Sequence, residues 1–165
     1  MKHDLPSFSQ IVALYDAGQF DEAAALCHKV LERHPRQADS LRMLGVIARN
    51  AEQFDVSLDW LRQALAVCPH DPVLHFEHGT TLFQQGELEP AAADYQRAFE
   101  LKPDFQEAAL NLGAIFEQQS RFDEALVWSL RAVQLRPTCA KAHYNLGNIR
   151  RSLGQLAEAA EAYTA

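Results

Sequence analysis

The sequence lacks any apolar run approaching the roughly 20 residues that a membrane-spanning helix needs. Its N-terminus, MKHDLPSFSQ, also lacks the apolar segment of a secretory signal peptide. These two absences predict a protein that neither crosses nor is anchored in a membrane. We therefore expect a cytoplasmic location.

Basic residues are too few for a general nucleic-acid binder. The chain has 15 lysines and arginines against 22 acidic residues, which gives a formal net charge of −7. Proteins that bind nucleic acid through its phosphates carry a basic stripe. The charge balance predicts no nucleic-acid partner.

Cysteine is also scarce. Cys27, Cys68 and Cys139 are an odd number, lie far apart and form no C-x-x-C pair. Neither a disulfide framework nor a zinc site is expected, and a reducing compartment fits best. We expect no cofactor and no bound metal.

Glycine and proline, with seven residues each, are placed by a strict rule. A shift of 34 residues carries Gly45 onto Gly79, Gly113 and Gly147, and a second glycine series contains Gly18, Gly86 and Gly154. Four prolines repeat with the same spacing, at Pro35, Pro69, Pro103 and Pro137. Such a period predicts stacked helical repeats, in which each unit buries its apolar face only against its neighbours.

The period divides one predicted domain, residues 1–165, into units at 4–37, 38–71, 72–105, 106–139 and 140–165. We number the places of each unit from 1, so that the two glycine series hold places 8 and 15. Each unit is expected to form two antiparallel helices joined by a short turn. Small residues at place 20 should let the helices approach closely; they are Ala23, Ser57, Ala91, Ala125 and Ala159.

The unit at 140–165 stops short of a full period, and no polar capping helix follows it. A repeat array without a cap exposes an apolar face. Two explanations stay open: the chain is a fragment of a longer protein, or another chain covers this end, as in a homo-oligomer.

The residues that recur are LG in the first helix, Gly at the turn, then EA, an aromatic residue and a terminal Pro. The clearest copies are AALNLGAIFEQQSRFDEALVWSLRAVQLRP at 108–137 and HYNLGNIRRSLGQLAEAAEAY at 143–163. This pattern resembles the tetratricopeptide repeat (TPR). The resemblance implies an all-α, right-handed α-solenoid of antiparallel helix pairs, whose first helices line a concave groove. It also implies binding of proteins or peptides rather than catalysis.

Two specialised groove types are known within this family. The Asn-Leu-Gly motif at Asn111 and Asn145 resembles the TPR arm of O-linked N-acetylglucosamine transferases, where a ladder of asparagines holds a peptide backbone. Met43 and Glu77 interrupt that ladder here. A carboxylate clamp, which grips a C-terminal carboxylate, is not expected. Its opening lysine and asparagine are replaced by Phe76 and Thr80.

Helical spacing places a mixed set of cations, aromatic residues and amides on the face that would line the groove. Arginine and aromatic residues are typical of binding hot spots; ordinary solvated charge is the alternative explanation. The predicted ligand-binding residues are Arg42, Arg49, Phe76, Phe83, Asn111, Lys141, Tyr144, Asn145, Asn148 and Arg151.

No catalytic constellation or phosphate-binding glycine loop is present in the sequence. His70, His75 and His78 are close in sequence, but nothing acidic or sulfur-bearing completes a metal site.

We therefore predict a non-enzymatic protein–protein interaction module that binds a peptide or protein segment in its groove. Two alternatives stay open: the substrate-recruiting arm of a larger enzyme such as a glycosyltransferase, and a self-associating scaffold.

Overall fold

The computed structural model describes residues 6–165, so positions 4 and 5 of the first predicted unit lie outside the described residues. All regular structure in this range is helical. The helices are α1 Phe8–Asp16, α2 Phe20–Arg33, α3 Ala38–Asn50, α4 Phe54–Val67, α5 Pro72–Gln85, α6 Leu88–Leu101, α7 Gln106–Gln118, α8 Phe122–Leu135, α9 Ala140–Ser152 and α10 Leu156–Thr164.

The chain divides into two compact units at the α5–α6 connection, inside the third repeat. The first unit ends at Glu87 and contains α1 to α5; the second begins at Leu88 and contains α6 to α10. Within each unit every helix packs against the next one along the chain. Connections of three or four residues make these neighbours antiparallel. The single domain expected from the sequence stays a prediction.

Local signals explain several helix starts. Ser7 and Gln10 form a capping box before α1, in which each side chain accepts a hydrogen bond from the other's backbone N–H. Asp71 accepts a hydrogen bond from the Val73 N–H at 2.8 Å, and Pro72 occupies the first turn of α5. Most second helices have an acidic residue in their first turn, where the helix dipole favours negative charge.

The small residues predicted at place 20 are buried in the structure. Ala23, Ser57, Ala91, Ala125 and Ala159 are all at most 3% exposed. In α3, a Cβ added to Gly45 would lie 2.7 Å from Leu61 Cγ and 3.3 Å from the Ser57 carbonyl oxygen. Glycine is therefore required at place 8 of this pair because the second helix occupies the space of a side chain.

Place 15, in the turn between the two helices, has positive φ in all five units. The φ angles are 75°, 90° and 78° at Gly18, Gly86 and Gly154, and 58° and 59° at Glu52 and Ser120. Left-handed backbone is costly for residues with a Cβ and nearly free for glycine. The last two residues therefore carry a local conformational cost.

We predict that Glu52→Gly and Ser120→Gly each stabilise the protein by about 0.5–1 kcal/mol, after allowance for the extra entropy of the unfolded chain. The matched control is Gly18→Ala, which should destabilise through backbone strain alone, because no atom lies within 4 Å of the added Cβ. Thermal unfolding followed by circular dichroism measures both effects. A lower melting temperature for Glu52→Gly would show that place 15 does not limit stability.

Candidate protein-interaction face

First helices lie side by side within each unit: α3 contacts α5, and α7 contacts α9. We call the surface formed by α1, α3 and α5 the first-helix face of unit 1, and that of α7 and α9 the first-helix face of unit 2. The ten predicted ligand-binding residues all belong to these helices. The two faces are described separately.

On unit 1, Arg42 is half-buried and lies against an aromatic ring. Its guanidinium carbon is 5.8 Å from the ring centre of Phe8 on α1, within the range of a cation–π interaction. Within residues 6–165, no carboxylate lies within salt-bridge distance of Arg42. The ring holds the cation in place without neutralising it, so its charge stays available.

Arg49, two helical turns further along α3, is in a different state. Its Nη1 donates to Glu77 Oε2 at 2.6 Å and to the Glu77 backbone carbonyl at 3.2 Å. The two side chains are only 11% and 16% exposed. This ion pair joins α3 to α5, and its formal charge is already balanced.

Breaking this pair should cost more than breaking an exposed one. We predict that Glu77→Gln destabilises by about 1–3 kcal/mol, because it leaves the Arg49 cation half-buried without a counter-charge. The control is Glu100→Gln, which removes the partner of Arg97 on the exposed surface of α6. That change should cost less than about 1 kcal/mol. Equal melting temperatures of the two variants would contradict the assigned role of the Arg49–Glu77 pair.

Another polar contact on this face joins α3 to α1. The Asn50 amide donates to the Tyr15 hydroxyl at 2.7 Å. Phe76 and Phe83 on α5 are half-buried, and Val46 on α3 is only 7% exposed. The face of unit 1 therefore combines half-buried aromatic side chains with the available charge of Arg42.

On unit 2, the predicted residues differ in exposure. Lys141 is exposed and Tyr144 is 60% exposed, whereas Asn111 and Asn145 are half-buried. Leu110, at the same place as Arg42, is only 6% exposed and belongs to the apolar cluster between α7 and α9. A ligand on this face would contact Tyr144 and Lys141 most readily.

Arg151 and Glu117 are at the same place in α9 and α7. Burial raises the pKa of the Glu117 carboxyl, and attraction to Arg151 offsets part of that rise. Asn148 is also engaged, since its Oδ1 accepts a hydrogen bond from the Tyr163 hydroxyl at 2.8 Å. Both Asn148 and Arg151 thus interact within the chain before any ligand arrives.

Sequence reasoning missed three partners of the predicted residues: Phe8, Glu77 and Tyr163. Phe8 shares place 5 with Arg42, and a search for neighbours one repeat away would have found it. Glu77 was considered only as a departure from an asparagine ladder. Its pairing with Arg49 joins places 6 and 12, a relation that the period does not reveal.

His70, His75 and His78 do not form a metal site in the described part of the chain. His75 Nε2 lies 3.0 Å from the Pro69 carbonyl oxygen. In the described part of the chain, no three His, Cys, Asp or Glu side chains are grouped closely enough to hold a metal ion. Burial raises the pKa of the Cys27 thiol to about 11, so the thiol stays protonated and unreactive at neutral pH.

Comparison with known families matches this arrangement of helices to the tetratricopeptide repeat, over residues 8–72, 76–138 and 128–165. The chain belongs to the tetratricopeptide repeat family. The predicted all-α solenoid of helix pairs is confirmed. The predicted membership in a family of protein-interaction repeats is confirmed as well. None of the helices within residues 6–165 combines the length and apolar character needed to cross a bilayer.

Two groups of curated proteins are similar in sequence. Mouse protein O-mannosyl-transferase TMTC1 is 29% identical over 123 residues, which cover 72% of this chain and 13% of that protein. The peroxisomal targeting signal receptor of Candida albicans is 37% identical over 76 residues, covering 46% of this chain and 13% of the receptor. The chain therefore spans only about an eighth of either relative.

Solved structures share the fold at low sequence identity. A MamA crystal structure superposes with a TM-score of 0.84 at 20% identity, covering 92% of this chain and 89% of MamA. YrrB, described as a TPR protein with an unusual peptide-binding site, gives 0.78 at 24% identity, with coverage of 98% and 84%. Pseudomonas aeruginosa PilF gives 0.89 at 19% identity, with coverage of 95% and 72%. At these identities the likeness concerns the fold alone.

Proposed function

We propose that this TPR chain binds a protein or peptide segment on its first-helix faces, and that the segment carries a carboxylate next to an apolar side chain. The observation that supports this most directly is Arg42, a cation held against Phe8 with no acidic partner among residues 6–165. A ligand carboxylate would give Arg42 the charge partner that the described residues do not supply. A charge-assisted hydrogen bond of this kind is stronger than a neutral one.

The apolar part of the ligand would contact Phe76, which occupies the place of Arg42 on the next first helix. Half-buried aromatic residues give large contact areas at low entropic cost. Phe83 lies at the place of Arg49, further along α5. An arginine beside aromatic residues is the composition expected of an interface hot spot.

The contacts separate the ten predicted residues by role. Arg42 and Phe76 on unit 1 are proposed to touch a ligand there, and Lys141 and Tyr144 are proposed, separately, as ligand contacts on the face of unit 2. Arg49 is proposed to position α3 against α5 through Glu77, and Asn148 to orient Tyr163. Phe83, Asn111, Asn145 and Arg151 are proposed as secondary ligand contacts.

We predict that Arg42→Ala and Phe76→Ala each weaken partner binding by at least about tenfold, which corresponds to roughly 1.4 kcal/mol. Partners would be identified by affinity purification and mass spectrometry, and the affinity then measured by calorimetry with the purified partner. Arg62→Ala is the matched control, because Arg62 is an exposed arginine on second helix α4, paired with Asp59.

Both face variants should keep the helix content of the native protein by circular dichroism, and the control should keep its affinity. Unchanged binding by folded Arg42→Ala and Phe76→Ala proteins would overturn the proposal. Loss of binding by Arg62→Ala as well would place the interaction on the second helices instead.

A second candidate function is a substrate-recruiting arm of a larger enzyme. The match to an O-mannosyl-transferase over 72% of this chain favours it. In that case the repeats would bind substrate and contribute no catalytic group. A reading frame that continues past Ala165 into a non-repeat domain would support this candidate.

We also propose a cytoplasmic location, which is compatible with three free cysteines.

A further inference from the structure

Cys139 is the N-cap residue of α9, in unit 2, and its side chain is half-buried. Two other repeats have an oxygen acceptor at the same place. Gln37 accepts a hydrogen bond from the Ser40 N–H at the start of α3, and Asp71 caps α5 in the same way. The Cys139 sulfur therefore occupies a position where this fold puts an acceptor, at a helix end whose dipole favours negative charge.

The surroundings of this thiol favour its anionic form. The backbone N–H of Ala142 does most to lower the pKa of the Cys139 thiol, and burial of the thiol opposes this effect. The amide of Gln106, the N–H of Lys141 and the charge of Arg136 lower that pKa further. The sulfur accepts no full capping hydrogen bond, so each of these contacts is weaker than a regular cap. Because the thiolate is the form of cysteine that attacks electrophiles, Cys139 should be more reactive than an ordinary thiol.

Gln106, the first residue of α7, indicates what the sulfur would take up. Its side chain is only 2% exposed, and no other repeat has glutamine at this place. Its Nε2 donates to the Ala132 carbonyl oxygen at 3.1 Å, and the same amide faces the Cys139 thiol. Its Oε1 is buried and accepts no hydrogen bond from any group within residues 6–165. A buried acceptor without a donor is costly, so a donor attached to the sulfur would stabilise this site.

We propose that Cys139 is a modification site for hydrogen peroxide, which converts its thiol into a sulfenic acid whose hydroxyl group donates to Gln106 Oε1. The thiolate sulfur attacks one oxygen of the peroxide, so that an S–O bond forms and the O–O bond breaks. The other oxygen leaves as hydroxide, and the sulfenic acid keeps the proton of the oxygen that was attacked. The sulfur loses two electrons, and the peroxide gains them.

The setting of the sulfur favours a small oxidant and a persistent product. Cys139 packs against the apolar cluster between α7 and α9. A half-buried thiol in such a setting is reached more easily by hydrogen peroxide than by a bulky disulfide. Residues 88–165 contain no second cysteine, so no thiol of unit 2 can convert the sulfenic acid into a disulfide.

The first test compares two cysteines of the native full chain. The protein is treated with hydrogen peroxide in the presence of dimedone, which traps sulfenic acids, and peptide mass spectrometry measures the adduct at each cysteine. Cys68 is the matched control, because it is also half-buried but lies at the C-cap of α4, where the helix dipole disfavours an anion. We expect trapping at Cys139 to be at least about fivefold faster than at Cys68 at neutral pH. The lower nucleophilicity of a more acidic thiol offsets only about half of its gain in thiolate.

The second test removes the proposed acceptor with Gln106→Met. After a short peroxide treatment the peroxide is destroyed with catalase, and dimedone is added after increasing delays to measure the lifetime of the sulfenic acid. Loss of the hydrogen bond should shorten that lifetime by about three- to tenfold. The control is Gln118→Met, which changes an exposed glutamine at the other end of α7 and should leave the lifetime unchanged. Circular dichroism checks that both variants fold.

Two results would overturn the proposal. One is equal trapping at Cys139 and Cys68, a result that needs no variant and therefore holds even if Gln106→Met fails to fold. The other is an unchanged sulfenic acid lifetime in folded Gln106→Met, which would show that Gln106 Oε1 binds water instead. Both tests measure sulfur chemistry without any ligand, so they are independent of the binding proposed for the first-helix faces.

Discussion

The close approach of the two helices in the pairs α3–α4, α7–α8 and α9–α10 is the constraint on which the rest of the structure depends. At Gly45 the partner helix α4 occupies the volume of a side chain, with Leu61 Cγ 2.7 Å from where a Cβ would be. Glycine lowers helix propensity by about 1 kcal/mol relative to alanine. That loss is offset by full burial of Leu61 and Ser57, both at 0% exposure.

This contact sets the orientation of the first helix, and with it which places are buried and which are left on the first-helix face. With place 8 turned toward the second helix, places 3, 7 and 10 face the preceding repeat, and most of their occupants are apolar, with Ser40, His78 and Thr81 among the exceptions. Place 5 is left on the first-helix face, and there the residue type changes in every unit. Its occupants are Phe8, Arg42, Phe76, Leu110 and Tyr144. Binding preference can therefore vary at place 5 while packing stays fixed, which is how one fold can serve different partners.

The period was sufficient to predict the helices, their pairing and the buried small residues, because these follow from spacing that repeats five times. It could not predict how individual side chains pair on the first-helix face. Arg49 and Glu77 are 28 residues apart rather than 34, and their pairing depends on the directions in which two neighbouring helices point their side chains. Arg49 was predicted as a ligand contact from helical spacing and from the combination of arginine with aromatic residues, and its burial against Glu77 leads us to propose a positioning role for it instead.

The most direct measurement is the stability effect of Gly45→Ala in two backgrounds, the native protein and a Leu61→Ala variant. In the native protein the added methyl should destabilise by about 1–3 kcal/mol, because it overpacks the contact with Leu61. In the Leu61→Ala background that contact is gone, and the same change should be neutral or stabilise by up to about 1 kcal/mol through helix propensity. An equal loss of stability in both backgrounds would contradict the claim that this close approach organises the repeat.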